Sequence, residues 1–221
     1  MCGRFTLFVK PDDLKERYSL EEIPFELIPR YNIAPTQHIT AIINDKGRNR
    51  IGQLKWGLIP SWSKDEKMAY KMINAKAETI REKPSFKKLF IRKRCIIPAD
   101  GFYEWKKIDS DKQPMRIMMK DEGIFSLAGL YDTWTSPEGV RINTCTIITT
   151  KPNTLMADIH DRMPVIIKRE DESLWLNRDV QDGELLESLL LPFDEEQMKA
   201  YPVSKMVGNV RNDLPECIAE I

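Results

Sequence analysis

Strand-like runs follow one another closely through the middle of the chain, and this spacing limits the possible folds more than any other feature. The apolar runs RCIIP, GFYEWKKI, PMRIMMK, IFSLAGL and INTCTIITT all lie between residues 94 and 150. Turn signals such as DG, EG and PEG separate them, and no helix-length segment intervenes. Parallel neighbours need crossovers of about a dozen residues or more, so this order argues against a doubly wound parallel sheet. It predicts an α+β fold with a mainly antiparallel, barrel-like β core.

Shorter elements are predicted on both sides of this core. HITAIIN, QLKWGL and the VII near residue 165 have strand patterns. Short flanking helices are predicted for PDDLKERYS, which starts at Pro11, and for PNTLMAD, ESLWL and GELLESLLL. INAKAETIRE has the strongest helix-forming composition in the first half of the chain, so a helix is predicted there too. A length of 221 residues suits one domain or at most two small ones, and we expect a single domain over residues 1–221.

The composition argues against several classes of protein. Hydrophobic residues make up 42% of the chain and charged residues 31%, which is an ordinary globular balance without an apolar run long enough to span a membrane. No signal peptide and no glycine-rich phosphate loop are visible. The four cysteines include no C-x-x-C pair and there are only two histidines, so we expect neither a metal site nor a cofactor. Scattered thiols without a secretion signal predict a reducing cytoplasm.

Charge is unevenly distributed, although the net charge is zero. Residues 64–94 contain eleven Lys or Arg and four Asp or Glu, a local balance of +7. Residues 170–221 contain thirteen acids and four bases, a local balance of −9. The basic segment could face a polyanion while the acidic segment faces away from it. A solvated charged surface without such a partner explains the same pattern, and charge alone does not choose between the two.

Cys2 could carry covalent chemistry because of its place in the chain. Its small side chain favours removal of Met1, which would make Cys2 the first residue of the mature protein. An α-amine and a thiol would then lie on adjacent carbons, with reference pKa values of about 8 and about 8.5. Such a 1,2-aminothiol can attack an aldehyde twice, because the amine forms a Schiff base and the thiol then closes a five-membered thiazolidine ring. An incidental small residue after the start codon is the alternative for Cys2.

Six sequence blocks identify a family. In order along the chain they are MCGRF, YNIAPTQ, WGLIPSW, INAKAET, PADGFYEW and IHDRMP. Together they closely resemble the SOS response-associated peptidase (SRAP) family, whose members are abasic-site processing proteins. The resemblance runs from residue 2 to about residue 167, whereas the acidic part from about residue 175 is less diagnostic. It implies the SRAP fold for the whole chain.

The resemblance also implies a function. Family members bind single-stranded DNA that contains an abasic site and form a covalent thiazolidine bond with its ring-opened aldehyde, which shields the lesion. On this resemblance Cys2 is the nucleophile and Asn74 helps to hold the N-terminal residue in place. Glu104 matches the glutamate of the site, and His160 matches the histidine that hydrogen-bonds the opened sugar and helps in proton transfer.

DNA contacts are implied in the same way. Arg4 and Arg162 match basic residues near the DNA backbone, and Trp62 and Trp105 match side chains that lie against bases. Lys76 departs from the pattern, because the family often has arginine there. Lysine keeps the charge but loses the planar bidentate fork, so a phosphate contact should survive with lower geometric precision. Trp62 lies in the polar, turn-like stretch PSWSK, where an exposed indole could stack on a base.

Each catalytic candidate also has a structural alternative. Asn74 could be the N-cap of the helix predicted for AKAETIRE. Glu104 could be an exposed strand carboxylate, and His160 could be a packed, hydrogen-bonded histidine. The remaining chemically versatile side chains are expected to be structural or inert: His38, Cys95, Cys145 and Cys217.

Three hypotheses for the whole protein follow. The first is an enzyme-like sensor that crosslinks to abasic sites through Cys2. The second is a cysteine peptidase that uses Cys2 and His160, including self-processing of the N-terminus. The third is a β-rich nucleic-acid-binding module without a covalent step. The basic segment suits a polyanion better than a polypeptide, so the first is preferred, with single-stranded DNA containing an abasic site as partner. We expect a monomer without membrane attachment, cytoplasmic and associated with the nucleoid when bound to DNA.

Overall fold

Two β-sheets form the framework of the computed structural model, which describes residues 2–221. Within these residues the strands are β1 (Phe5–Leu7), β2 (Arg30–Ile33), β3 (His38–Asp45), β4 (Arg48–Trp56), β5 (Asn74–Lys76), β6 (Arg94–Ala99), β7 (Gly101–Ile108), β8 (Asp111–Met119), β9 (Phe125–Thr135), β10 (Arg141–Thr150), β11 (Met163–Pro164), β12 (Ile166–Ile167) and β13 (Met198–Pro202). The α-helices are α1 (Pro11–Tyr18), α2 (Pro84–Arg92), α3 (Thr154–Ala157), α4 (Glu172–Leu176) and α5 (Gly183–Ser188). None of these described helices combines the length and the apolar character that crossing a bilayer requires.

The larger sheet closes on itself as a five-stranded barrel. β10 pairs in parallel with β4, and β4, β3, β6 and β9 then pair antiparallel in that order. β9 pairs antiparallel with β10, which closes the ring. Closure satisfies backbone groups that an open sheet would leave along its edges. The short strands extend the barrel, with β5 and β11 beside β10 and with β12 beside β9.

The second sheet is antiparallel throughout and has the strand order β13-β8-β7-β1-β2. One core cluster joins it to the barrel and includes Phe5 and Phe102 of the sheet with Ile97 of β6. A second cluster joins the barrel to the helices and includes Ile96 with Phe90 of α2. Successive residues of a strand face opposite sides, so β6 contributes to both clusters. The predicted α+β fold with a mainly antiparallel, barrel-like core is confirmed.

The helix predicted for INAKAETIRE is wrong. This block forms β5, Asn74–Lys76, followed by a single 3₁₀ turn at Ala77–Thr79. β5 pairs in parallel with β10, where Asn74 lies opposite Ile147. The strand satisfies backbone groups of β10 that a local helix would leave unpaired, so tertiary pairing outweighs helix propensity. The N-cap role considered for Asn74 is wrong for the same reason, and the sequence patterns did not indicate α2 or β13.

Gly57 is required where the chain leaves β4. Its φ is +129°, and a Cβ there would lie 2.7 Å from the Ala69 carbonyl oxygen. We predict that Gly57→Ala lowers the free energy of unfolding by about 2–4 kcal/mol, because it adds a steric clash to backbone strain. Urea denaturation measures the loss. Gly52→Ala is the matched control on β4, since a Cβ there meets nothing within 4 Å, and equal losses in both variants would contradict the argument.

Candidate active site

The N-terminal strand brings Cys2 beside Glu104. Where β1 pairs with β7, the Tyr103 amide donates to the Arg4 carbonyl oxygen at 2.9 Å. If the antiparallel register is continued towards the N-terminus, Cys2 lies beside the residues of β7 that follow Tyr103. Cys2 is fully buried. Burial raises the pKa of its thiol, and the negative charge of Glu104 raises that pKa further, so the thiol is protonated at neutral pH. Met1, whose removal would free the Cys2 amine, lies outside the described residues.

Glu104 is a buried carboxyl group on β7. Its 2% exposure excludes the exposed strand carboxylate that was its alternative. Burial raises its pKa from 4.5 to about 7, and the Asp161 carboxylate adds to the rise. Its Oε2 lies 3.8 Å from Nε2 of His160. At neutral pH both the acid and the carboxylate are populated, which suits a group that must both give and take a proton.

His160 is oriented by the loop that follows α3. Its amide donates to the Met156 carbonyl oxygen at 2.8 Å, and the Arg162 amide donates to its Nδ1 at 3.0 Å. The hydrogen bond from the Arg162 amide favours the neutral ring with its proton on Nε2, the nitrogen nearer Glu104, whereas the Asp161 carboxylate favours a proton on Nδ1. Burial lowers the pKa of His160, and Asp161, 3.0 Å from Nδ1, opposes this. The Asp161 side chain is 88% exposed, so water screens its charge and the neutral ring is favoured at pH 7.

Arg162 is fixed by contacts on both sides of its guanidinium group. Nη1 and Nη2 donate to the two carboxylate oxygens of Glu78 at 2.7 and 2.9 Å, and Nη2 also donates to the Thr149 carbonyl oxygen at 2.7 Å. The hydrogen bonds from Arg162 hold the pKa of Glu78 below its usual value. The bidentate ion pair with Glu78 therefore fixes Arg162, whose backbone amide contacts Nδ1 of His160 and influences its tautomer. A phosphate contact by Arg162 stays a prediction, and such a contact would compete with Glu78.

Asn74 offers an acceptor at the edge of the barrel. Its Nδ2 donates to the Ile147 carbonyl oxygen at 3.4 Å, across the pairing of β5 with β10. Its Oδ1 is buried and accepts no hydrogen bond from the residues that the structure describes. Ile147 belongs to the same core cluster as Cys2, so this acceptor lies on the Cys2 side of the barrel. An amine donor would satisfy it, as the predicted role of Asn74 requires.

Arg4 and Trp105 lie against the C-terminal part of the chain. Arg4 Nη1 donates to Asn32 Oδ1 at 2.9 Å and to the Val207 carbonyl oxygen at 2.7 Å. Its guanidinium carbon lies 5.9 Å from the centre of the Trp105 ring. The half-buried Trp105 packs on a cluster that includes Val207. Both side chains therefore have structural contacts, and their predicted roles at DNA stay predictions.

Trp62 and Lys76 face solvent instead. Trp62 is 61% exposed and Lys76 is exposed at the end of β5. His38 is exposed, whereas the other cysteines are buried free thiols: Cys95, Cys145 and Cys217. Cys2 is equally buried, so burial does not separate these three thiols from it, and their inertness stays a prediction. Across residues 2–221, no three Cys, His, Asp or Glu side chains are grouped so that they could hold a metal ion.

The structure brings together Cys2, Glu104 and His160, and it places Arg162 behind the histidine. Sequence reasoning missed Glu78, which holds Arg162 although 84 residues separate the two. The signal was its position in the INAKAET block, but only the pairing of β5 with β10 reveals its partner.

Comparison with known proteins relates the whole chain to one family. A sequence model described as SOS response associated peptidase (SRAP) matches residues 1–210. The abasic site processing protein YoqW of Bacillus subtilis (strain 168) is 56% identical over 221 residues, which cover 99% of each chain. The abasic site processing protein HMCES of Xenopus tropicalis is 31% identical over 266 residues, which cover 100% of this chain and 78% of that protein. A crystal structure of a protein from Bacteroides thetaiotaomicron superposes with a TM-score of 0.88 at 33% identity, covering 100% of both chains.

The contacts of Glu78 predict its effect on His160. Glu78→Gln removes the charge that holds Arg162, so the hydrogen bond from the Arg162 amide to Nδ1 of His160 should weaken. The population ratio of the Nδ1–H tautomer of His160 to the Nε2–H tautomer should then rise about fivefold, which corresponds to about 1 kcal/mol. Imidazole nitrogen NMR measures this ratio, and His38, the only other histidine, is the internal reference.

Glu82→Gln is the matched control, because Glu82 is exposed and lies four residues further along. It should leave both histidine spectra unchanged. An unchanged His160 tautomer in Glu78→Gln would show that the ion pair does not position the histidine.

Proposed function

The chain belongs to the SOS response-associated peptidase family, and we propose on that basis that it processes abasic sites in single-stranded DNA by forming a covalent thiazolidine link through Cys2. The names of the relatives from Bacillus subtilis and Xenopus tropicalis support the substrate. The single observation that carries the chemistry is the contact of the buried Glu104, which lies beside the Cys2 thiol, with the partly exposed His160 at 3.8 Å. This pair can hold and move protons at neutral pH, and burial shields its carboxyl group from water.

The first step opens the sugar. Abasic deoxyribose is mainly a closed hemiacetal, which hides its aldehyde. Protonated Glu104 donates to O4′ as the C1′–O4′ bond breaks, and it then accepts the proton of the C1′ hydroxyl as the aldehyde forms. The Nε2–H of His160 hydrogen-bonds the oxygen of the released O4′ hydroxyl and holds the opened sugar. A carboxyl group with a pKa of about 7 can serve in both directions.

The second step joins the aldehyde to Cys2. The neutral α-amine attacks the aldehyde carbon, and after a proton moves from nitrogen to oxygen the carbinolamine loses its hydroxyl as water, with a proton from Glu104. The thiol of Cys2 then gives its proton to the Glu104 carboxylate, and its sulfur attacks the iminium carbon. One aldehyde and one aminothiol give one thiazolidine and one water, and Glu104 regains the proton that it supplied. The buried Oδ1 of Asn74 accepts a hydrogen bond from the amine and orients it.

DNA reaches this site over a partly basic surface. Lys76 lies two residues after Asn74 on β5 and faces solvent, where it can meet a phosphate. The exposed indole of Trp62 can stack on an unpaired base. Arg4 and Arg162 lie at the site with structural partners, and a phosphate contact by either would add to those partners or replace one of them.

The same groups give less support to a cysteine peptidase. Such enzymes rely on a thiolate that a neighbouring imidazolium stabilises. Here burial raises the pKa of the Cys2 thiol and lowers the pKa of His160, so both groups are neutral at pH 7. A neutral thiol suits ring closure after the amine has reacted, when the iminium ion is a strong electrophile.

We predict that Cys2→Ala abolishes the heat-stable adduct with an oligonucleotide that contains one abasic site. The variant should bind an oligonucleotide with a reduced abasic site, which cannot crosslink, with the Kd of the wild type, because the thiol forms the ring but does not bind the strand. A denaturing gel measures the adduct, and fluorescence anisotropy measures Kd. A protein with an uncleaved N-terminal tag is the companion variant, since its Cys2 amine is part of a peptide bond and should not crosslink.

An oligonucleotide with a reduced abasic site, which lacks the aldehyde, is the control and should give no adduct with any variant. Undiminished adduct from Cys2→Ala or from the tagged protein would overturn the role of the aminothiol. Peptide or casein cleavage without a DNA adduct would support the peptidase instead.

We predict that Glu104→Gln slows adduct formation about 10²- to 10⁴-fold at pH 6–7, because it keeps the shape of the side chain but removes the proton shuttle. The two proteins are compared at each pH as the ratio of the wild-type rate to the variant rate. The acid form is lost as the pH rises through about 7, so this ratio should fall as the pH increases from 7 to 8.

His160→Gln is the comparison variant in the same time courses. It should slow formation less and change the exchange of adduct onto competitor DNA, because it removes the group that holds the opened sugar. A Glu104→Gln variant that matches the wild-type rate between pH 6 and 8 would exclude Glu104 as the proton shuttle.

A further inference from the structure

Two aromatic side chains face solvent on one connecting segment. Among the described residues, Trp62 and Tyr70 are the aromatic side chains that are more than half exposed, at 61% and 69%. Both lie between β4 and β5, and Tyr70 belongs to the 3₁₀ helix Glu66–Lys71. Exposed aromatic rings lose hydrophobic stabilisation unless a partner covers them, so the pair marks a contact surface.

Trp134 anchors both parts of this segment. Its Nε1 donates to the Ser63 carbonyl oxygen at 2.7 Å, directly after Trp62. It also packs in a buried cluster with Ala69, directly before Tyr70. Because one buried side chain supports the neighbours of both aromatic residues, the two rings are presented from a common base.

A second anchor holds the other side of Trp62. The Ser61 amide donates to Asp132 Oδ2 at 2.8 Å, and Lys93 Nζ donates to Asp132 Oδ1 at 2.7 Å. The backbone is therefore fixed on both sides of Trp62. A ligand that stacks there meets a segment that is already ordered, which lowers the entropic cost of binding.

Unneutralised lysines surround the two aromatic residues. Lys64, Lys67 and Lys71 are exposed, and no acidic side chain of the described residues lies within ion-pair distance of them. The acids of the segment are engaged elsewhere, since Asp65 Oδ1 accepts from the Lys67 amide at 2.8 Å and Glu66 pairs with Lys55 at 2.5 Å. Aromatic faces interleaved with free positive charge fit a single-stranded nucleic acid, whose bases stack while its phosphates meet the lysines.

The segment leads directly into the candidate active site. The Leu58 amide donates to the Met72 carbonyl oxygen at 3.0 Å, and the Ile147 amide donates to the Ile73 carbonyl oxygen at 3.1 Å. These bonds bind the end of the segment to the barrel next to Asn74, which follows Tyr70 by four residues. A strand whose lesion lies at Cys2 can therefore extend over this surface.

We propose that Tyr70, together with Lys67 and Lys71, forms a second single-strand contact beyond Trp62, in which the phenol ring stacks on an unpaired base of the DNA that leaves the site. This proposal rests on the proposed function for its occupant. It assigns Tyr70 to strand binding and not to the chemistry at Cys2, so its loss should weaken binding and leave the crosslinking step intact.

The test uses single-stranded oligonucleotides with one reduced abasic site, which fixes the register without forming an adduct, and 2-aminopurine replaces one of the other bases at a time. Emission of this adenine analogue falls when it stacks. With the wild-type protein, we expect the 2-aminopurine emission to be quenched at two different positions of the strand. Quenching at one position should disappear in Tyr70→Ala, and quenching at the other should disappear in Trp62→Ala. Tyr70→Ala should raise Kd about 5- to 100-fold, and Tyr70→Phe should stay within about twofold of the wild type.

Leu191→Ala is the matched control, because Leu191 is 64% exposed and lies in the acidic C-terminal part. It should bind like the wild type, and melting temperatures verify that all variants are folded. Replacing Lys67 and Lys71 together by Gln should reduce the slope of log Kd against log salt concentration by about 1.4, or about 0.7 for each lost phosphate contact. Lys10→Gln, at an exposed lysine outside the segment, should leave the slope unchanged.

The proposal is overturned if no base position depends on Tyr70, or if Tyr70→Ala binds the oligonucleotide with the reduced abasic site as tightly as Leu191→Ala. With abasic DNA at saturating concentration, Tyr70→Ala should crosslink at the wild-type rate, and a slower saturated rate would place Tyr70 in the chemistry instead. A wild-type protein that shows Tyr70-dependent binding but no adduct would contradict the covalent function and still support this surface.

Discussion

The burial of one carboxyl group, Glu104, is the constraint on which the rest of the site depends. A rise in pKa from 4.5 to about 7 corresponds to about 3 kcal/mol of lost preference for the charged form. The folded state binds this proton more tightly than the unfolded chain, so the contribution of Glu104 to stability is present at low pH and is lost as the pH rises through about 7. This loss of stability at neutral pH arises where the sheet that contains β7 packs on the barrel. In return, a carboxyl group becomes able to donate and accept a proton at neutral pH.

His160 is positioned by a chain of contacts that crosses from the barrel to the loop after α3. Glu78 follows β5, Arg162 precedes β11, and their ion pair fixes the peptide whose N–H meets Nδ1 of the imidazole. The tautomer of His160 is therefore decided by residues that do not touch the substrate in the proposed chemistry. Mutations at Glu78 and at Glu104 should act on the same proton transfers by different routes, one through orientation and the other through acidity.

The residues of the proposed chemistry and those of the proposed strand contacts lie in different parts of the protein. Cys2 and Glu104 are buried, and the exclusion of water raises the pKa values of their thiol and carboxyl groups. Trp62 and Tyr70 are exposed, so an incoming base could reach their faces in the proposed function. The two regions are joined by the segment between β4 and β5, which Trp134 and Gly57 hold against the barrel. In the proposed function, a strand is recognised at the surface while its lesion enters the core.

The sequence by itself determined the fold class, the family and the residue types at the site. Closely spaced strands with turn signals indicated the barrel-like core, and six ordered blocks indicated the family and its candidate residues. The tertiary structure decided what depends on partners distant in sequence: INAKAETIRE forms a strand because β10 lies beside it, and Glu104 is buried because the sheet packs on the barrel. The pairing of Glu78 with Arg162 likewise appears only after β5 has aligned with β10. Local propensity and motif order are properties of neighbouring residues, whereas burial, pKa and tautomer are set by groups that only the folded chain brings together.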